Sequence, residues 1–262
     1  MGGGCISPAA RIDTDAGPRF LKWSGGRQPA GLFRAEAEAL RAIAATATVR
    51  VPVVEAFADD WILMEWLEPG VAGPAAWSEF GRALARLHRA QADRFGWPDS
   101  NYIGQLEQSN ARDGSWSRFW KSQRIAPQME RAIAAGHFSG SDQRLLKAHL
   151  EALDDLLAVG DAEGPSLLHG DLWSGNAHEM AGVVAAIDPS SYYGHREVDL
   201  AMAALFGGFP AAFYEGYEAE WPLEPGWQAR RAAYQVYHLL VHVNLFGSSY
   251  VPAVMESAAR VV

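Results

Sequence analysis

The segment SLLHGDLWSGNAHEMAGVVAAIDP, residues 166–189, constrains this chain more than any other part of it. A short apolar run enters a polar loop carrying His169, Asp171 and Asn176. The runs AHEM and VVAAID follow on either side of Ala181-Gly182, a pattern that predicts a hairpin. Gly, Asp, Ser and Asn are ordinary turn residues, so the loop could be only a turn. Its spacing, however, matches what phosphoryl transfer requires. In such sites one aspartate orients the attacking hydroxyl, an asparagine of the same loop ligates magnesium, and a second carboxylate completes the metal site. Asp171, Asn176 and Asp188 stand in those positions.

The remaining parts of such a site lie upstream. A lysine that pairs the nucleotide phosphates is expected on a strand, and Lys22 in RFLKW (19–23) sits on an alternating stretch. Residues 32–45, LFRAEAEALRAIAA, predict a helix whose inner face carries Phe33, Glu36, Leu40 and Ile43. Glu36 is therefore the expected partner of Lys22. Glu38 lies about 200° around the helix and is the reserve. VPVVEAF and WILMEWL predict two strands joined through ADD. Gly3 and Gly4 of the N-terminal glycine stretch are candidates for phosphate contact, although they lack the spaced glycine pattern of kinases.

Pro69, Gly70, Gly73 and Pro74 mark the expected boundary between a nucleotide-binding lobe (1–67) and a catalytic and substrate-binding lobe (68–262). The second part reads as mainly helical. Expected helices are one capped by Ser78 and running to about Ala92, one from Trp116 interrupted at Pro127, one capped by Ser141 and ended by Gly160, and two over 197–206 and 227–246. A small β-rich lobe joined to a larger helical lobe is an α+β, protein-kinase-like bilobal layout.

Composition excludes other classes. The net charge of -9 argues against a general nucleic-acid surface. No apolar run is long enough to span a membrane. Cys5 is the single cysteine, which permits no internal disulfide and points to the cytoplasm. A monomer is favoured. His169 is expected to brace its loop, His88 to be a satisfied core histidine, and Trp116, Phe119 and Trp120 to be core. His238 and His242 are expected to pack and hydrogen-bond. Trp173 divides evenly between the cleft mouth and the loop interior. Its flat face would suit a sugar ring, and YYGHRE would bring His195 to the same substrate.

LLHGDLWSGN, IDPSSYYGHREVDLAMAALFGGF and YQVYHLLVHVNLFG resemble the fructosamine kinase (ketosamine 3-kinase) family, within the wider aminoglycoside and choline phosphotransferase group. LFRAEAEALRAI, VRVPVV, LMEWL and FWKSQRIAPQM extend the resemblance over nearly the whole chain. Members usually carry a further segment before the glycines, on which this chain opens. The resemblance implies ATP- and Mg2+-dependent phosphorylation of the sugar 3-hydroxyl of a free or protein-bound ketosamine, after which the product breaks down and frees the amine. It also implies Lys22 on the ATP phosphates, Asp171 as base, Asn176 and Asp188 on metal, and an adenine hinge lined by Met64, Glu65 and Leu67. Phosphorylation of another hydroxylated amine, an aminoglycoside or choline, is the alternative. A pseudokinase binding module is disfavoured by the complete Lys22, Asp171, Asn176 and Asp188 set.

Overall fold

The computed structural model of the chain describes residues 7–26 and 28–262. It opens with β1 (Ala9–Thr14), β2 (Gly17–Trp23) and α1 (Leu32–Ala45), and returns through β3 (Val54–Phe57) and β4 (Trp61–Glu65). Next come α2 (Pro74–His88), the hairpin of β5 (Asn101–Ile103) and β6 (Leu106–Gln108), and α3 (Trp116–Phe119). A π-helical stretch (Trp120–Ile125) joins α3 to α4 (Ala126–Ala134). After α5 (Gly140–Leu156), α6 (Ala158–Glu163) and β7 (Ser166–Leu167), β8 (Ala177–Met180) and β9 (Val183–Ala186) form the expected hairpin. β10 (Tyr193–Gly194) and four helices follow, α7 (Glu197–Leu205), α8 (Ala211–Glu220), α9 (Trp227–Phe246) and α10 (Val251–Ala259).

Packing divides the chain into two compact units, each assembled from separated stretches. The first holds residues 1–90, 169–191 and 206–222, and the second 91–168, 192–205 and 223–262. These packing units are a different partition from the division of roles expected at 67/68, because the first contains α2, the polar loop and α8.

In the first unit an antiparallel sheet runs β1-β2-β4-β3. The register sets Lys22 opposite Ile62 on the central strand pair. α1 buries Phe33, Leu40 and Ile43 completely or nearly so. Each such side chain stabilises by about 1.5–3 kcal/mol relative to exposure. α2 begins at Pro74 rather than at Ser78, because proline suits the first turn, where no N–H partner is needed. It ends at His88, four residues short of the expected Ala92. α2 packs closely on α8 through two glycines. A Cβ at Gly81 would overlap the carbonyl of Phe213, and one at Gly216 would overlap that of Ser78.

The second unit is built on an aromatic and aliphatic core in which Trp116, Phe119, Trp120, Leu146, Leu153, Tyr234 and Leu240 are buried. Pro127 lacks the N–H of the helical ladder and crowds the turn before it. The helix widens into the π stretch immediately upstream. α5 is capped by Ser139, not Ser141, because the side chains of Ser139 and Asp142 exchange hydrogen bonds with each other's backbone amides. α5 stops at Leu156, and Gly160 lies within α6, where a Cβ would strike the Trp116 ring. β1, the β5–β6 hairpin, α8 and α10 are not legible in the periodicity, being short or without sustained alternation.

Candidate active site

Lys22 is the centre of the first unit's polar interior. It is 6% exposed, and its Nζ donates to both carboxylate oxygens of Glu36, at 2.8 and 2.9 Å, and to Oδ1 of Asp188 at 2.9 Å. As the helical periodicity predicts, Glu36 is buried beside the sheet and Glu38 is exposed. Burial opposes the ammonium, but Asp188 and Glu36 outweigh it and raise the Lys22 pKa. Lys22 thus stays charged at any working pH. Asp188 has φ 54, a left-handed backbone uncommon outside glycine and most tolerated by Asn and Asp. A residue held there costs on the order of 1–3 kcal/mol and persists because its surroundings enforce it.

The polar loop is locked to the hairpin by the residues that define its motif. His169 sits with Nε2 2.9 Å from the Ile187 carbonyl, while its Nδ1 accepts from the Asp171 amide at 3.3 Å. Those two contacts assign the proton to Nε2 and make His169 the expected brace. The Ser190 amide donates to the His169 carbonyl at 2.8 Å. Gly170, at φ 87, presses so closely on the Ser190 carbonyl that a Cβ would overlap it, so only glycine fits. The amide of Ile187 donates to the Asn176 carbonyl at 3.0 Å, which ties Asn176 to the strand end one residue before Asp188.

Asn176 is 5% exposed and its Nδ2 donates to the Asp171 carbonyl at 2.8 Å and to Asp171 Oδ2 at 3.3 Å. Its amide nitrogen being committed, Oδ1 is the atom left to ligate. Asp171 remains partly exposed. Among the described residues no cluster of three or more His, Cys, Asp or Glu forms a complete metal cage. Magnesium does not need one, because it is commonly held by one or two carboxylates, waters and substrate phosphates. An amide oxygen and a carboxylate at one hairpin end fit that requirement.

Met64 is buried at the end of β4, and Leu67 is buried with its carbonyl 3.1 Å from His178 Nε2. The Glu65 amide donates to the Val53 carbonyl at 2.9 Å, and its carboxylate is paired with Arg50. Arg50 also bridges elsewhere, since its carbonyl accepts from the Ala186 amide at 2.8 Å. Arg50 and His178 hold these strand ends, and their only signal in the sequence is position near them. Trp173 is half-buried, and its ring lies over Gly175, where a Cβ would collide with it. Gly3, Gly4 and Cys5 lie outside the described residues.

His195 has a different role from the one expected. It is fully buried in the second unit, with Nδ1 2.7 Å from the Tyr234 hydroxyl and Nε2 2.8 Å from Glu163. Both ring nitrogens are therefore occupied within the fold, and no edge is left for a substrate. Glu163 also takes a bidentate contact from Arg196, both bonds at 2.7 Å. Burial pushes the Glu163 carboxyl up, but Arg196 and His195 prevail and bring its pKa down to about 2. Arg230 and Glu197 form a second bidentate pair beside it. His88 is buried with Nδ1 2.8 Å from the Tyr217 hydroxyl, and His242 Nδ1 lies 2.7 Å from the His238 carbonyl, as expected of packed histidines.

A buried lysine shared by a helix glutamate and a post-hairpin aspartate, with an aspartate–asparagine loop before that hairpin, defines an ATP-dependent phosphotransferase of the protein-kinase-like fold. An aminoglycoside phosphotransferase solved with ADP and hygromycin B shares the fold, with a TM-score of 0.63 at 16% identity over 100% of this chain and 92% of that one. The chain belongs to the fructosamine kinase family, whose model matches residues 1–262. It is 40% identical over 258 residues to a probable ketoamine kinase of Synechocystis sp., covering 95% of this chain and 85% of that protein. It is 36% identical to the ketosamine-3-kinase of Mus musculus, covering 95% and 89%. A Thermobifida fusca structure assigned as a fructosamine-3-kinase matches with a TM-score of 0.93 at 38% identity, covering 100% and 91%.

Proposed function

We propose that the chain phosphorylates the sugar 3-hydroxyl of a ketosamine, using ATP with Mg2+, and so begins the release of a glycated amine. The observation that carries this reading is the Lys22–Glu36–Asp188 interior beside the Asp171–Asn176 loop, in a chain of the fructosamine kinase family. Lys22, held by Glu36, neutralises the nucleotide phosphates. Asn176 and Asp188 offer oxygens to Mg2+, which supplies charge stabilisation to the transferring phosphoryl group. Asp171 accepts the proton of the attacking hydroxyl. Met64, Glu65 and Leu67 border the adenine through backbone groups, and phosphate contact is assigned to Gly3 and Gly4. Residues 1–67 thus serve the nucleotide and 68–262 catalysis and substrate. Trp173 gives the sugar ring a flat apolar face. We place the enzyme in the cytoplasm as a monomer, without nucleic-acid partners; among the described residues no helix is long and apolar enough to cross a membrane.

A coupled ADP-release assay over fructosyl-lysine, ribulosyl-lysine, choline and kanamycin tests the substrate class. Turnover on the ketosamines and little on the others is expected. Robust turnover on kanamycin or choline with none on either ketosamine would transfer the assignment to the alternative amines.

A further inference from the structure

On the first unit, α1, the loop after it and β3 line an open cavity of about 470 Å³ that the phosphotransfer chemistry does not use. That volume lies within the range of small-ligand sites, about 300–1,000 Å³. Its floor is apolar, with Leu40, Val49 and Val51 buried, while Thr48 lines its side and Val53 is 59% exposed at the rim. Two arginines line it, and their charges are in different states. Arg50 is neutralised by Glu65. Arg41 is exposed, its guanidinium lies 5.1 Å from the Phe57 ring centroid, and no carboxylate of the described residues pairs with it, Glu38 one turn back included. An open cavity with an apolar floor and one uncompensated guanidinium is complementary to a ligand with a hydrocarbon body and one anionic end.

We infer that this cavity is an effector site for a small amphipathic carboxylate, and that its occupation tightens nucleotide binding. The coupling follows from which elements form the walls. Leu40 and Arg41 stand on α1, the helix that carries Glu36 to Lys22. Arg50 is bonded through its carbonyl to Ala186, two residues before Asp188, and through its guanidinium to Glu65. A ligand that fits the cavity in this arrangement favours the state in which both Lys22 partners are in place. The coupling, though not the binding, rests on the proposed nucleotide role of Lys22.

Octanoate is the probe, titrated calorimetrically into the full chain with octanol as the uncharged control. Saturable octanoate binding is expected, with octanol about ten-fold weaker. Arg41→Gln should weaken octanoate to the octanol level, and Ala44→Trp, at an exposed wall position, should block both ligands. Saturating octanoate should tighten Mg-ADP by about five-fold or more, measured by binding rather than turnover. Absence of saturable octanoate binding, equal affinity for octanol, insensitivity to Arg41→Gln, or an ADP affinity untouched by octanoate would each overturn the inference. Failure of ADP to bind at all would strike the proposed function instead.

Discussion

At the scale of single residues, Asp171 and Asp188 are both carboxylates at the candidate site, yet their surroundings differ. Asp171 stands in a loop braced by His169 and Asn176, whereas Asp188 is drawn onto Lys22 from a left-handed backbone. Asp171→Asn should leave Mg-ATP binding nearly intact and lower turnover by about 10²–10⁴-fold, the usual worth of general-base help. Asp188→Ala should instead weaken Mg-ATP itself. Isothermal titration beside steady-state kinetics separates the two, and Asp171→Asn turning over within a few-fold of wild type would remove it as the base. Trp173 allows a paired test. Trp173→Ala should raise the KM for ketosamine more than that for ATP. Gly175→Ala should do the same without deleting the ring, because the new methyl displaces it. If both KM values stayed at wild type, the Trp173 ring would have only a packing role.

At the scale of elements, α1 matters because it delivers Glu36, and its C-terminus carries a local conflict. Thr46 caps the helix, and Ala47 follows at φ 53, where glycine is the usual residue. An L-residue in this region costs about 1–2 kcal/mol. Ala47→Gly should therefore stabilise the chain by roughly 1 kcal/mol and raise Tm by a few degrees, readable by differential scanning calorimetry. A lower Tm would mean that the methyl contributes packing that outweighs the strain. The β8–β9 hairpin is the complementary element, because its backbone bonds set Asn176 and Asp188 at one end whatever the side chains between them.

At the scale of the whole molecule, buried ionisable groups set how the fold responds to acid. His149 on α5 is fully buried, and burial lowers its pKa from 6.5 to about 4. The unfolded chain binds that proton more readily, so the neutral imidazole's contribution is full above about pH 6.5 and is lost as pH falls toward 4. Glu163 acts in the next window. Its contribution is full above the ordinary 4.5 and fades as pH falls toward about 2. The urea midpoint of the wild type should fall between pH 6.5 and 4, and His149→Leu should remove part of that fall. An unchanged slope in the variant would show that other groups dominate this range.

Much of the site was legible because its chemistry is local in the chain. The His169–Asp171–Asn176 spacing and the hairpin to Asp188 depend on turn and strand patterns a few residues long, and helical periodicity chose Glu36 over Glu38. The ends of α1 and α9 were legible for the same reason, whereas Pro74 and Ser139 displaced the expected caps by a few residues. Folding decided what neutralises each buried charge. His195 and Arg196 look available in the sequence, but the fold brings Glu163 from α6 and Tyr234 from α9 to occupy them. Likewise Lys22 meets Asp188 across 166 positions. A buried ion needs partners to offset its lost hydration, and those partners come from wherever packing brings the chain back. Short-range pattern determined the motif and its elements, while long-range packing alone determined which polar groups are paired within the fold.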